Sequence, residues 1–79
     1  MLPSAPFGFG GVTSPASVIS EMQTAGNGAA RPLIILQTGN VQHVINVVNR
    51  DGQVYFIDSQ IGKVITLEPN ISVRLGNAP

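Results

Sequence analysis

The stretch that decides the fold is residues 43 to 64, which read HVINVVNRDGQVYFIDSQIGKV. It contains two apolar runs, and the first is rich in β-branched residues, as is typical of a strand. Between them stands Asp51-Gly52, a dipeptide that favours a two-residue turn of type I′. The sequence therefore predicts a β-hairpin with strands over residues 41–49 and 54–58.

The turn also predicts which side chains share a face of this hairpin. If Asp51-Gly52 is the centre of the turn, His43 lies opposite Gln60 at roughly 5 Å, with Asp58 on the diagonal at roughly 7 to 8 Å. All three then lie on one face, because side chains alternate between faces along a strand. A register shift of one residue would instead put the histidine and the aspartate on opposite faces.

Such a pair suits acid–base chemistry, because a histidine that acts as a general base needs its other ring nitrogen held by an acceptor. Asp58 is the candidate acceptor, and Gln60 is a candidate for orienting the ring or for donating to an oxyanion. A structural hydrogen-bonded pair is the other interpretation of His43 and Asp58. Ser14 and Ser59 fit a helix cap and a turn better than a nucleophile.

The rest of the chain predicts one helix and further strands. We expect an irregular arm over residues 1–14 and a single α+β domain over residues 15–79. A helix of about ten residues follows the cap Ser14, with Pro15 at its first position and Gly26 as its stop. The predicted fold is α+β, with one N-terminal helix followed by a four- to five-stranded antiparallel sheet. Its further strands are expected near residues 33–37, 63–68 and 71–75.

Composition restricts the classes of partner. Only 10% of the 79 residues are charged and the formal net charge is zero, so no basic patch is available for nucleic acid. No apolar run is long enough to span a membrane, and the N-terminus lacks the basic start of a signal peptide. One histidine and no cysteine leave no zinc site, and we expect no metal and no cofactor. The low charge indicates apolar surface that meets a partner, including a homo-oligomer.

The run GNVQHVINVVNRDGQVYFIDSQIGKV, residues 39 to 64, resembles the His-to-Asp segment of the papain-fold toxin domains. These are glutamine deamidases at the C-termini of bacterial polymorphic toxins. The matching elements are His43, the NVVN of residues 46–49, Gly52, and the IDSQIG of residues 57–62. The upstream EMQTAGNGAARPLIIL is similar to the family's helix, glycine-rich turn and first strand, so the resemblance covers about residues 15–65.

The resemblance implies a papain-like fold and a Cys-His-Asp triad, in which a thiolate attacks a side-chain amide and ammonia leaves. By matching position His43 is the general base, Asp58 its orienting acid, and Gln60 a nearby motif residue. The chain departs from the family in having no cysteine and in having Gln42 where a glycine is usual. We therefore expect it to be inactive alone and to need a cysteine-bearing companion segment or chain.

Three explanations of the missing cysteine are open: a split or processed toxin, a truncated chain, and a non-catalytic relative. The first two imply a bacterial effector that is secreted or delivered into the cytoplasm of a target cell. Its partners are then a target protein of a host or competitor and an immunity protein. The third implies a structural or interaction module that pairs or oligomerises through its sheet.

Overall fold

The computed structural model describes residues 9–36 and 42–77. Within these ranges the chain is α+β, with one helix and one antiparallel sheet of six strands. The strand order across the sheet is β1-β6-β2-β3-β4-β5. The elements are β1 Phe9–Thr13, α1 Pro15–Ala25, β2 Ala30–Leu36, β3 Gln42–Arg50, β4 Gln53–Asp58, β5 Lys63–Ile65 and β6 Val73–Gly76.

Helix α1 begins and ends where the sequence predicts. Ser14 has the extended backbone of an N-cap, and its hydroxyl oxygen accepts a hydrogen bond of 3.3 Å from the N–H of Ser17. Pro15 follows at the first helical position, where its missing N–H costs nothing. At the other end Gly26 has a φ of 98° and donates to the carbonyl oxygen of Met22. The predicted helix is confirmed.

The β3–β4 hairpin has the predicted turn and register. Asp51 and Gly52 have φ angles of 55° and 88°, and two consecutive positive values are what a type I′ turn requires. Pairing starts at Arg50 with Gln53 and continues to Asn46 with Ile57. By strand alternation from these pairs, His43 and Asp58 lie on the same face of the hairpin.

The hydrophobic core lies between α1 and one face of the sheet. The helix contributes Val18 and Met22, which are 1% and 0% exposed. Alternate residues of the four central strands complete it, since a strand presents every second side chain to the same face. We call this the helix-covered face of the sheet. Its buried apolar strand residues are Leu33, Ile35, Ile45, Val47, Phe56, Val73 and Leu75.

The prediction of an irregular arm over residues 1–14 is wrong for residues 9–13, and residues 1–8 lie outside the described ranges. Phe9–Thr13 forms β1, an edge strand paired antiparallel with β6. β1 precedes the helix and adds to the five strands that follow it, so the described sheet has six strands and not four to five. A sequence as rich in glycine as FGFGG indicates a loop, yet backbone pairing with β6 holds Phe9–Thr13 as a strand. Arg74 adds hydrogen bonds to the carbonyl oxygens of Phe9 and Gly10.

Candidate functional site

The imidazole of His43 and the carboxyl group of Asp58 are in direct contact. His43 lies near the start of β3 and Asp58 is the last residue of β4. Their Nε2 and Oδ2 atoms are 2.7 Å apart, a distance typical of a charge-assisted hydrogen bond. The side chains are 28% and 11% exposed, respectively. The structure thus confirms that the hairpin brings the only histidine and a carboxyl group together.

A tight turn fixes the position of the Asp58 carboxylate. Oδ1 accepts a hydrogen bond of 2.9 Å from the N–H of Gln60, while the Asp58 carbonyl oxygen accepts one of 2.8 Å from the N–H of Gly62. Gly62 has a φ of 67°, which glycine adopts without strain. Both carboxylate oxygens are thus engaged, one by the turn and one by the imidazole.

These contacts favour the ionised form of Asp58. The hydrogen bond from His43 is the largest cause that lowers the pKa of this carboxyl group below 3.8. Burial acts in the opposite direction because it penalises the charge. The backbone N–H groups of Gln60 and Ile61 and the charge of His43 lower the pKa further. Asp58 is therefore a carboxylate at neutral pH and acts as an acceptor toward the ring.

The contact with Asp58 leaves one ring nitrogen of His43 for chemistry. Because Oδ2 of an ionised carboxylate only accepts, Nε2 carries the proton in the neutral ring. Nδ1 then holds the lone pair, and the hydrogen bonds among the described residues give it no partner. With 28% of the side chain exposed, another molecule can approach the ring. This arrangement meets the geometric requirement of a general base, which is one ring nitrogen held and the other available.

The pair lies at one end of the helix-covered face, where the apolar core stops. His43 pairs across the sheet with Ile35 of β2, and Ile45 is the next residue of β3 that points to the same face. Both of these isoleucines are buried. Apolar side chains therefore border the dyad on its inner side, while part of the His43 side chain remains exposed.

Gln60 is not where the sequence placed it. The predicted pairing with His43 does not form, because β4 ends at Asp58 and the chain turns back over residues 59–62 into β5. Gln60 is an exposed residue of this turn. Its backbone N–H reaches the site, where it bonds the Asp58 carboxylate. Its contribution is thus to hold the acid, and any residue with an N–H can make that bond.

Two asparagines of the resembling segment have structural contacts. Asn49 is buried, and its Nδ2 donates to the carbonyl oxygen of Met22 while its Oδ1 accepts from the N–H of Gly52. Asn46 lies on the other face and donates to the hydroxyl of Ser59 over 2.6 Å. Sequence reasoning gave Asn49 no role, although strand alternation from Val47 already places it inward. A buried amide needs hydrogen-bond partners, so its inward position in the strand pattern already indicated a structural role.

The other sequence candidates for chemistry have structural contacts as well. Ser14 caps the helix and Ser59 accepts from Asn46. Among residues 9–36 and 42–77, no cluster of three or more His, Asp or Glu side chains could hold a metal ion. In the same part of the chain, no helix is long and apolar enough to cross a membrane.

Comparisons of the chain with protein-family models, with curated proteins and with solved structures found no match. The family resemblance of residues 39 to 64 therefore depends on its motif residues. Of these, His43 and Asp58 form the dyad, whereas Asn46 and Asn49 hold the hairpin and its neighbours in place.

Proposed function

We propose that this chain supplies the histidine and the aspartate of a protein glutamine deamidase of the papain-fold toxin class. In this proposal a cysteine-bearing companion segment or chain supplies the thiol. The observation that carries the proposal is the 2.7 Å contact between Nε2 of His43 and Oδ2 of Asp58. It leaves Nδ1 as the base, on a ring that is open to an approaching partner.

In the reaction, Nδ1 of His43 takes the proton of the companion's thiol, and Asp58 stabilises the imidazolium that forms. The thiolate attacks the carboxamide carbon of a glutamine side chain and forms a tetrahedral intermediate. The imidazolium returns its proton to the nitrogen, the C–N bond breaks, and ammonia leaves a thioester. His43 then takes a proton from water, whose oxygen attacks the thioester carbon. The products are a glutamate side chain and the thiol, which regains the proton from the imidazolium.

The companion is needed because the sequence has no cysteine. The hydroxyl groups of Ser14 and Ser59 are engaged in the cap and the turn, so neither replaces a thiol. The exposed part of the His43 ring is where a companion would reach Nδ1. Its arrival would also shield the site from water, which strengthens the interaction of the imidazolium with Asp58.

The test is reconstitution with candidate companions, namely cysteine-bearing segments encoded beside this chain. Each is mixed with this chain and casein, and ammonia release is measured. We expect release only from the mixture, with a loss of at least about 100-fold on His43→Gln or on removal of the companion's thiol. Asn46→Ala is the matched control, because this exposed amide lies on the opposite face. Equal release from the wild type and His43→Gln would overturn the proposal.

The same proposal places the activity in a delivered bacterial effector. Its substrate is then a protein of a host or competitor cell, and its producer needs an immunity protein that blocks the dyad or the companion's approach. Co-expression of the chain and its companion in a bacterium tests this part. We expect growth arrest that His43→Gln abolishes, and arrest that persists in His43→Gln cells would contradict the proposed mechanism.

A further inference from the structure

The face of the sheet opposite α1 is apolar, and we call it the open face. Cross-strand pairing places its residues in rows, such as Val12, Arg74, Ile34 and Val44 across four strands. Among residues 9–36 and 42–77, no helix or strand packs on it. Three of its valines are 53% to 63% exposed. Its apolar members are Phe9, Val12, Pro32, Ile34, Leu36, Val44, Val48, Tyr55, Ile57 and Val64.

The polar groups within the open face are satisfied inside the chain. The guanidinium of Arg74 donates to the carbonyl oxygens of Gly10 and Phe9 at 2.7 and 3.2 Å. The amide of Asn46 donates to Ser59. Arg50, at the hairpin end, lies on the rim. Arg74 and Asn46 thus lie within the face but have hydrogen-bond partners inside the chain, and neighbours such as Ile34 and Ile57 are the apolar residues that a partner can cover.

We infer that the open face packs against the same face of a second copy of this chain, forming a symmetric two-sheet dimer. The two sheets would stack about 10 Å apart with their strands roughly 30° from parallel, as in a β-sandwich. A twofold axis through the sheet centre brings Ile34 and Val44 of each copy against the partner's face. Such an interface is self-complementary, as twofold symmetry requires.

The size of the face fits a dimer. Five spacings between six strands give a width of about 24 Å, and three or four rows of side chains give a length of about 20 Å. The flat footprint is then roughly 500 Å² per copy, and the accessible area that it buries is larger. Two copies together therefore pass the total of about 1,000 Å² that a specific interface needs.

The net charge of the chain does not oppose a second copy as the occupant. The chain has a formal net charge of zero, so two copies do not repel each other. Of the two arginines on the face, Arg74 donates to carbonyl oxygens of β1 and Arg50 lies at the hairpin end. This inference is independent of the proposed function, because the dyad of His43 and Asp58 lies on the helix-covered face.

The test is sedimentation equilibrium of the full chain over a range of concentrations. We expect the average mass of the wild type to approach twice the monomer mass as the concentration rises. Val44→Glu should raise the dissociation constant of the dimer at least tenfold. Ile34→Glu, at the centre of the face, should shift the equilibrium as strongly. Gln23→Glu adds the same charge to the exposed surface of α1 and should leave the dimer intact.

Val44 is already 53% exposed, so its glutamate variant should fold, and circular dichroism checks this. A wild type that stays monomeric at every concentration would overturn the inference. So would a dimer that Val44→Glu and Ile34→Glu leave unchanged. Deletion of residues 2–8 tests whether that segment of the same chain occupies the open face. If the full chain is monomeric and dimerises only after the deletion, the segment covers the face and the inference is wrong.

Discussion

The side-chain amide of Asn49 donates a hydrogen bond of 2.9 Å to the carbonyl oxygen of Met22. Asn49 thereby joins β3 to the last turn of α1, where the Met22 carbonyl oxygen also accepts from the N–H of the C-cap residue Gly26. Its Oδ1 accepts from Gly52, and its backbone pairs with Gly28 and Ala29. One buried residue thus holds the helix end, the hairpin turn and the segment before β2 in a fixed arrangement.

Asn49→Ala should reduce the free energy of unfolding by about 2 kcal/mol, because it removes one of the two donors to the Met22 carbonyl oxygen and leaves the Gly52 N–H without its partner. Urea unfolding followed by circular dichroism measures the change. The matched control is Asn46→Ala, which removes one exposed hydrogen bond and should cost about 0.5 kcal/mol or less. Equal losses in the two variants would contradict the role of Asn49.

The dyad should make stability depend on pH through Asp58. Its pKa is lowered by the fold, so between the folded and unfolded values the unfolded chain binds more protons, and stability rises with pH. The stabilisation is fully present above the ordinary aspartate pKa of 3.8 and is lost as the pH falls through the lower, folded value. Urea unfolding between pH 7 and pH 2 should show the wild type losing its advantage over Asp58→Asn. Parallel pH profiles for the two proteins would contradict a contribution of the Asp58 carboxylate to stability.

His43 should be the Nε2–H tautomer whenever its ring is neutral, because the Asp58 carboxylate is an acceptor only. Long-range proton–nitrogen NMR spectra distinguish the protonated ring nitrogen from the bare one. Asp58→Ala removes the acceptor and should shift the ring toward a mixture of tautomers. A wild-type ring with its proton on Nδ1 would remove the base that the proposed deamidation requires.

Gly76 of β6 is a position where any side chain would collide. A Cβ there would lie 2.5 Å from Cγ of Pro32 and 3.0 Å from Cε1 of Phe9. Gly76→Ala should therefore cost about 1 to 3 kcal/mol, because the rings of Pro32 and Phe9 must shift to make room. Gly11→Ala on β1 is the control: its Cβ meets nothing within 4 Å, and its cost should stay within about 0.5 kcal/mol. Thermal unfolding compares the two, and similar midpoints would refute the predicted collision.

The helix and the hairpin could be predicted because their signals are local. Ser14, Pro15 and Gly26 mark the ends of α1 by their own backbone requirements. Asp51-Gly52 determines both the turn and the register, and the register brings His43 to Asp58. The turn residues therefore suffice to predict the contact between His43 and Asp58.

What sequence reasoning missed depends on contacts between distant residues or on where a strand stops. The hydrogen-bond partners of β1 belong to β6, at the far end of the chain, so no local pattern marks Phe9–Thr13 as a strand. Gln60 was placed by extending the hairpin register, whereas β4 ends at Asp58 and the turn takes the next four residues. Register arithmetic holds only as far as both strands continue.

The position of β6 between β1 and β2 determines when the sheet can be completed during synthesis. Arg74 and Phe9, 65 residues apart in sequence, are joined by a hydrogen bond across the β1–β6 pair. A nascent chain can build the β3–β4 hairpin early, but β1 cannot form its pair with β6 until β6 has left the ribosome. Closure over so long a loop slows folding, and until then the edge of β2 is exposed to pairing with other chains.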